Sequence, residues 1–412
     1  MISVITPTHN PRYLREAVAS VRAQTYSDWE MVIYPNGKAA SDNRVYAELR
    51  QAVEYGSGDQ RDKVKLAERS VSDRRRVKIA VSGRHGSASI GQIKREAFML
   101  GRGDILVELD HDDILTANAL EEIAAAFADP EVDFVYSNFA DFDNSSGEWV
   151  RYPNWERNGW RYRDNETVQA IEMRRSANCV QLQTTSCVSF KPSATSISSI
   201  AYAPNHVRAW RASFYKSIGG HDPAYAVGDD HELLIRTYLR GRMKHIDKCL
   251  YLYRMSEANT FTKRGEEIIK MSTRLDTQHL ESLLEREGKL RKLPCVDLDW
   301  TTRAGWERAE RAARAIKEGE WCFPYPNSSV MAFRMFELAP NARAERRMLA
   351  EIHRCLVPGG TALVALHSDV YLRSEVMPRF MEKFVFMPGQ VNDLIAWKPG
   401  EDMSEVPGVR PA

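Results

Sequence analysis

The sequence lacks the features typical of secreted, membrane-spanning and nucleic-acid-binding proteins. The 412-residue chain has a mean hydropathy of -0.45 and no apolar run long enough to span a bilayer. Its 57 Lys and Arg residues nearly balance its 56 Asp and Glu residues, so the net charge of +1 does not favour DNA or an anionic membrane as a partner. The first residues are neither basic nor part of a long apolar stretch, so we expect no signal peptide.

Cysteine motifs are also missing. None of the six cysteines forms a Cys-x-x-Cys pair, which argues against a zinc site. Because no signal peptide is expected, the scattered cysteines indicate reduced thiols in a cytoplasmic protein. The length exceeds that of one typical core and predicts two or three domains.

The N-terminal part alternates short apolar runs with segments of helical periodicity. Strands are predicted at residues 2–6, 30–34, 77–81, 105–109 and 132–137. Between them, Asn10 and Thr116 are predicted N-caps of two helices, and a further helix is predicted over residues 89–100. The alternation predicts an α/β fold, with a mixed and mostly parallel sheet that carries helices on both faces.

The later segments are less regular. Residues 144–205 are rich in aromatic and arginine residues without a clear period, which is typical either of a functional loop or of a plain surface insertion. Farther on, we predict helices at 232–239, 266–289 and 346–356, and strands at 248–253, 361–367 and 393–397.

An acidic cluster follows the strand at 105–109. The segment from Asp110 to Asp113 holds three carboxylates in four residues. Carboxylates held this close repel each other unless a cation lies between them, and oxygen ligands suit Mg²⁺ or Mn²⁺. Such an ion can neutralise a departing nucleoside diphosphate. Taken alone, the cluster fits an exposed acidic turn equally well. Because ligands bind beyond the carboxyl ends of parallel strands, we expect it to share a crevice with residues 6–8 and 35–36.

An ordered series of motifs resembles the family 2 glycosyltransferases of the GT-A fold. The series begins with ISVITPTHN (2–10), LREAVASV (14–21) and QTY (24–26), and continues with IGQIKR (90–95) and GDIL (103–106). The acidic cluster comes next, followed by IGGHD (218–222), GDDHEL (228–233) and YLYR (251–254). One such motif is weak evidence, but their shared order over residues 1–265 is strong.

The resemblance implies a metal-dependent enzyme that moves a sugar from a nucleoside-diphosphate sugar to an acceptor hydroxyl with inversion. It implies that Asp110, His111 and Asp112 form the Asp-x-Asp site, with Asp112 the most direct Mn²⁺ or Mg²⁺ ligand and Asp110 also contacting the donor. Asp230 would be the general base. The other implied donor contacts are Thr6, Pro7, Thr8, Asn10, Asn36 and Lys94. Alternatively, Asp229 and Asp230 only begin the helix at 232, and Lys94 is only a surface charge.

The acceptor side is predicted less sharply. Asp229, His206, Arg208 and Trp210 are candidates, although Trp210 suits core packing equally well. Relatives carry an acidic turn where this chain has Pro35 and Asn36, and many carry a histidine where it has Met255 and Ser256. His221 or His231 could approach the site in place of that histidine, although each suits a surface position better. The family implies a UDP-sugar as donor, and the acceptor stays open among a glycan, a protein, a lipid-linked sugar and a modified base.

The C-terminal segment resembles part of a class I methyltransferase. The helix, turn and strand around Pro358-Gly359-Gly360 carry the resemblance, and VDLD (296–299) adds faintly to it. No glycine-rich loop follows a first strand, so we expect a truncated, Rossmann-like α/β remnant used for packing or for homo-oligomer formation. We therefore predict a GT-A domain at 1–265, with an acceptor-side insertion at 144–210, a helical connector at 266–293 and this remnant at 294–412.

Two alternative functions stay open at this point. One is a decayed module that binds a sugar nucleotide or a glycan without catalysis. The other is a bifunctional glycosyl- and methyltransferase. Retention of Asp112 and Asp230 favours the enzyme over the first alternative, and the missing glycine loop disfavours the second.

Overall fold

The computed structural model describes residues 1–54, 64–66, 88–153, 160–172, 179–199, 204–256, 260–293, 295–298, 327–336, 350–365, 385–388 and 393–397. These residues divide into two compact units. The first comprises residues 1–152, 160–192 and 201–273, and the second comprises 153–159, 193–200 and 274–412. The division falls at residue 273, within the helix that the sequence assigns to a connector. Among the helices described, none combines the length and apolar character that a bilayer crossing requires.

The strands of the first unit are β1 (Ile2–Thr8), β2 (Trp29–Pro35), β3 (Val64–Leu66), β4 (Ile105–Glu108), β5 (Ile114–Leu115), β6 (Phe134–Asp143), β7 (Arg161–Ile171), β8 (Cys179–Val188), β9 (Arg208–Arg211) and β10 (Met243–Met255). The helices described in both units are α1 (Leu14–Arg22), α2 (Gly37–Ser41), α3 (Asn43–Glu54), α4 (Ile90–Phe98), α5 (Ala119–Ala126), α6 (Ala194–Ser199), α7 (Ala212–Ser217), α8 (Asp229–Arg240) and α9 (Thr260–Arg291). Of these, α6 and the greater part of α9 belong to the second unit.

The ten strands form one mixed sheet in the order β3-β2-β1-β4-β9-β6-β10-β5, with β8 and then β7 added beside β6. The run from β3 to β4 is parallel, as predicted. Beyond β4 the sheet turns mixed, because β9 lies antiparallel between β4 and β6. The α/β class is confirmed. More of the strand pairs are antiparallel than the alternation of strands and helices in the sequence predicts.

Two strand segments differ from the sequence-based prediction. The region predicted as irregular contains a hairpin of β7 and β8, paired from Arg161 with Val188 to Ile171 with Cys179. Its exposed positions are mostly polar, so its apolar signal is too weak to read as strands. The predicted strand at 77–81 lies outside the described residues, and the structure places Val64–Leu66 beside β2 instead.

Two helix starts also differ from prediction. Helix α1 begins at Leu14, and Asn10 accepts a hydrogen bond from the Arg12 backbone in the turn before it. Helix α5 begins at Ala119 with Asn118 as its N-cap residue, so the predicted cap Thr116 lies two residues too early. In both cases a short turn precedes the helix and uses the polar side chain that the sequence assigns to the cap.

The second unit contains a five-stranded sheet. Its strands are β11 (Cys295–Leu298), β12 (Val330–Phe336), β13 (Leu356–Ala365), β14 (Val385–Pro388) and β15 (Asp393–Trp397). The first three are parallel, and β15 runs antiparallel between β13 and β14. A helix covers residues 350–355, within the predicted 346–356. The methyltransferase resemblance of this segment stays a prediction.

The core of the first unit corrects the assignment of Trp210. Its side chain is fully buried against the rings of Phe98, Phe134 and Tyr215, and its indole N–H donates to Thr237 Oγ1 at 3.1 Å. An aromatic ring held this way has no face free for a sugar. The alternative left open by the sequence, core packing, is therefore the correct one.

We predict that Trp210→Phe lowers the free energy of unfolding by about 1–3 kcal/mol, because it loses buried area and leaves Thr237 Oγ1 without its donor. Chemical denaturation measures the effect, and donor affinity should stay unchanged. Thr237→Val replaces the hydroxyl with a methyl group and leaves the indole ring packed in the core, so it should cost less. Weaker donor binding with unchanged stability would contradict the core assignment.

Candidate active site

The acidic segment lies at the carboxyl end of β4, as predicted. β4 pairs in parallel with β1, and β1 pairs in parallel with β2, with Thr8 opposite Pro35. The Asn36 N–H donates to the Thr8 carbonyl at 2.8 Å, which links the ends of β1 and β2. The rings of His9 and His111 lie 4.9 Å apart, edge to face. The segments at 6–10, 35–36 and 110–113 are therefore brought to one edge of the sheet.

Asp113 anchors this segment. Its carboxylate is buried and accepts hydrogen bonds from the Tyr251 hydroxyl and the Arg254 backbone N–H, both at 2.7 Å. The same hydroxyl accepts the Asp110 N–H at 3.2 Å. Burial, together with Asp112 and Asp110, raises the pKa of Asp113 well above its usual range. Asp113 is thus a structural anchor, which the sequence analysis did not identify.

Arg254 holds the segment from a second side. Its guanidinium is fully buried and donates to the Asp112 carbonyl at 2.8 Å and to Asn144 Oδ1 at 2.7 Å. It also pairs with Glu16 and lies 4.1 Å from the centre of the Tyr13 ring. In the sequence this position only ends the YLYR motif, yet in the structure it fixes the backbone of the acidic segment.

The carboxylates of Asp110 and Asp112 are available to bind a cation. In the described part of the chain, no Lys or Arg forms an ion pair with either, and Asp112 is 18% exposed with His111 Nδ1 3.9 Å away. No three His, Cys, Asp or Glu side chains come together as a metal group among the described residues. Mg²⁺ is commonly held by one or two carboxylates plus substrate phosphates, so this pair fits a metal that is also bound by a diphosphate.

The remaining predicted donor residues lie on the same edge. Thr6 is buried in β1, and its hydroxyl has no hydrogen-bond partner. The Thr8 hydroxyl donates to the Asn10 carbonyl at 3.1 Å and so fixes the loop after β1. Pro7 and Asn36 are partly exposed at the ends of β1 and β2. The structure thus places these residues around one loop, with Thr6 beneath it.

A chain of buried charges lies behind the acidic segment. Lys94 Nζ is 2.6 Å from Glu108 and 3.8 Å from Asp229. Glu108 is also 3.6 Å from Arg208, which donates to Asp230 Oδ2 at 2.8 Å. The Lys94 side chain is 13% exposed, so its ammonium group is used within the protein, although the sequence assigned it to the donor diphosphate.

The carboxyl groups among these buried charges have different pKa values. Burial would raise the pKa of Glu108, but Lys94 and Arg208 overcome that effect and lower it to about 2. Burial raises the pKa of Asp229 to about 7, against the pull of Lys94. For Asp230, Arg208 and Lys94 outweigh burial and hold the pKa well below its usual range. Near neutral pH, Asp230 is ionised while Asp229 is partly protonated.

Two histidines are buried among aromatic residues beside these charges. His221 was expected at the surface, but it is fully buried, with Nδ1 2.7 Å from the Tyr215 hydroxyl and Nε2 3.9 Å from Asp229. Burial lowers the pKa of His221 to about 3, so the ring is neutral. His206 is also buried and stacks on Tyr251 with centroids 4.4 Å apart. Burial and Arg208 lower its pKa to about 4.

Part of the chain is similar to known proteins. Residues 3–73 and 84–184 match the model of glycosyl transferase family 2. The N-terminal part of the chain is therefore similar to the glycosyltransferases of that family. The match covers β1, β4 and the whole acidic segment and ends before Asp230.

Several proteins share part of the sequence. An O-antigen biosynthesis protein, RfbC of Myxococcus xanthus, is 30% identical over 141 residues, which is 34% of this chain but 9% of RfbC. Glycosyltransferase GlyG of Streptococcus pneumoniae is 26% identical over 153 residues, 37% of this chain and 43% of GlyG. An uncharacterised glycosyltransferase of Nostoc sp. is 24% identical over 295 residues, 70% of this chain and 76% of its own. The match thus spans less than half of RfbC and GlyG.

Among solved structures, S. aureus TarS (residues 1–349) in complex with UDP-GlcNAc matches 70% of this chain and 72% of its own. The sequence identity is 15% and the TM-score is 0.42.

We predict that Tyr251→Phe destabilises the protein by about 1–3 kcal/mol, because the buried Asp113 loses a donor and the Asp110 N–H loses its acceptor. Thermal unfolding measures this effect, and titration with a nucleoside diphosphate should show weaker binding. Tyr162→Phe is the matched control, since that hydroxyl lies on β7 and accepts the Tyr152 N–H rather than a group of the acidic segment. If both variants bind the nucleotide equally well, Tyr251 does not shape the donor side.

Proposed function

We propose that the first unit transfers a sugar from a nucleoside-diphosphate sugar to an acceptor hydroxyl, with a divalent metal on the donor side and Asp230 as general base. The observation that carries the proposal is the position of Asp230. It is the more exposed of two adjacent aspartates, at 34%, and Arg208 keeps it ionised. The family match supports the sugar-transfer class.

The donor side is assigned to the loops at the edge of the sheet. Thr6, Pro7, Thr8, Asn10 and Asn36 surround the end of β1, which supports their use for the nucleoside. The choice of a UDP-sugar rests on the family resemblance alone. Asp110 and His111 lie at the start of the acidic segment and would contact the sugar-diphosphate part.

The metal is assigned to Asp112 and Asp110, because these two carboxylates are free of ion pairs with Lys or Arg among the described residues. When bound, Mn²⁺ or Mg²⁺ would neutralise charge on the departing diphosphate. Asp113 does not join them, since both its oxygens already accept hydrogen bonds within the protein.

The chemistry assigned to Asp230 is proton removal. The acceptor oxygen attacks the anomeric carbon and its proton moves to the Asp230 carboxylate. The bond from that carbon to the diphosphate oxygen breaks, and its electron pair leaves with the diphosphate. One base and one leaving group on opposite sides of the carbon correspond to a single displacement with inversion. Oδ1 of Asp230 already accepts the His231 N–H at 2.8 Å, which orients the carboxylate.

Asp230→Asn is predicted to lower the transfer rate by at least ~100-fold, because general base catalysis typically contributes 10²–10⁴-fold. Affinity for the nucleotide sugar should stay within about threefold, since Asp230 does not lie at the donor loops. Isothermal titration and product formation from a panel of nucleotide sugars measure the two effects. Asp247→Asn, an aspartate paired with Arg163 on β7, is the control. Full transfer activity in Asp230→Asn would remove Asp230 from the base role.

A separate prediction concerns the metal. Nucleoside diphosphate binding should raise the melting temperature of the wild-type protein more with Mn²⁺ than with EDTA, because metal and diphosphate bind together. In Asp112→Asn this metal-dependent increment should disappear. The substitution Asp164→Asn, on the exposed hairpin, should leave the increment intact. Equal stabilisation with EDTA and with Mn²⁺ in the wild type would exclude the metal from donor binding.

A further inference from the structure

Arg208 connects two carboxylates of very different exposure. It stands opposite Glu108 in the antiparallel pairing of β4 and β9, so the two side chains are cross-strand neighbours. Its Nη1 is 3.6 Å from Glu108 and 2.8 Å from Asp230. Glu108 is fully buried, while Asp230 at the start of α8 is partly exposed. Arg208 therefore reaches from the interior of the sheet to the proposed base.

Asp230 is the nearer carboxylate partner of Arg208, at 2.8 Å. Glu108 adds a second, buried counter-charge at 3.6 Å, but it shares its single charge with Lys94, which lies 2.6 Å away. The hydrogen bond to Asp230 also has a geometric consequence, because a buried, planar guanidinium whose Nη1 lies near both carboxylates restricts the direction of the carboxylate it contacts.

We infer that Arg208 is a positioning residue for the proposed base: it fixes the orientation and charge of the Asp230 carboxylate, and Glu108 holds Arg208 in place. The inference rests on the proposed function, since it assigns Arg208 a part in proton removal by Asp230. It departs from the sequence-based assignment of Arg208 to acceptor contact, because the guanidinium is 5% exposed and is bound to carboxylates of the protein itself.

Arg208 should also set the pH dependence of the proposed base. An arginine beside an aspartate lowers the carboxyl pKa by about 1–3 units, so its removal should raise the pKa of Asp230 by that order. The base is active when deprotonated, so the acid side of the pH profile should move to higher pH in a variant without Arg208. The other charged or titratable groups around Asp230 are Lys94 on α4, Glu108 on β4, His221 before α8, and Asp229 and His231 on α8.

The test compares Arg208→Gln and Arg208→Lys with the wild type in kcat and kcat/KM for sugar transfer between pH 4.5 and 9. We expect no acid limb in the wild type within this range, because Arg208 holds the pKa of Asp230 below it. In Arg208→Gln, where burial acts on the carboxyl without the guanidinium, an acid limb should enter the range and activity should be recovered at high pH. Arg208→Lys keeps the charge, so it should show no acid limb in this range either, while kcat falls. Arg163→Gln removes a surface Arg–Asp pair of β7 and β10 and should match the wild type.

An Arg208→Gln profile that is lowered by the same factor at every pH would overturn the inference, because it would indicate only structural support. If the wild type transfers no sugar from any donor, the proposed function fails, and a thermal double-mutant cycle of Arg208→Gln with Asp230→Asn then decides the pairing separately. Non-additive shifts in melting temperature would support a positioning contact between the two residues. Additive shifts would overturn it.

Discussion

The buried carboxylate of Glu108 is the group on which the site depends. A carboxylate without water is costly unless cations and hydrogen-bond donors surround it. Glu108 lies at the last position of β4 and attracts Lys94 from α4 and Arg208 from β9. Each of these cations also approaches one aspartate at the start of α8, at 3.8 and 2.8 Å. The pairing of β4 with β9 and the position of α4 therefore set where the proposed base lies.

The two adjacent aspartates show how one helix start gives two environments. Gly228, with φ of +71°, turns the chain into α8, a conformation that other residues rarely adopt. Asp229 then points into the protein and Asp230 toward solvent, so desolvation raises the pKa of the first while Arg208 lowers that of the second. Environments that separate two carboxyl pKa values in this way also separate their chemical roles.

The sequence predicted the strands that carry the site better than the contacts that complete it. β1, β2, β4 and β10 follow from apolar runs, and the edge of the sheet follows from their parallel order. Glu108, Tyr251 and Arg254 were missed because their roles depend on partners about 100 to 240 residues away. A charge inside the apolar run at 105–109 was the available signal, since such a residue needs a buried partner.

Glu108 and Asp110 are only two residues apart, and this spacing joins the two halves of the site. Glu108 organises Lys94, Arg208 and, through them, the proposed base. Asp110 begins the segment that Asp113, Tyr251 and Arg254 hold in place at the proposed donor side. Glu108 and Asp110 both lie at the end of β4. The distance between the proposed base and the proposed donor side is therefore set by strand pairing rather than by loops. A site built on strands and helices in this way holds its side chains more precisely than a site built on loops.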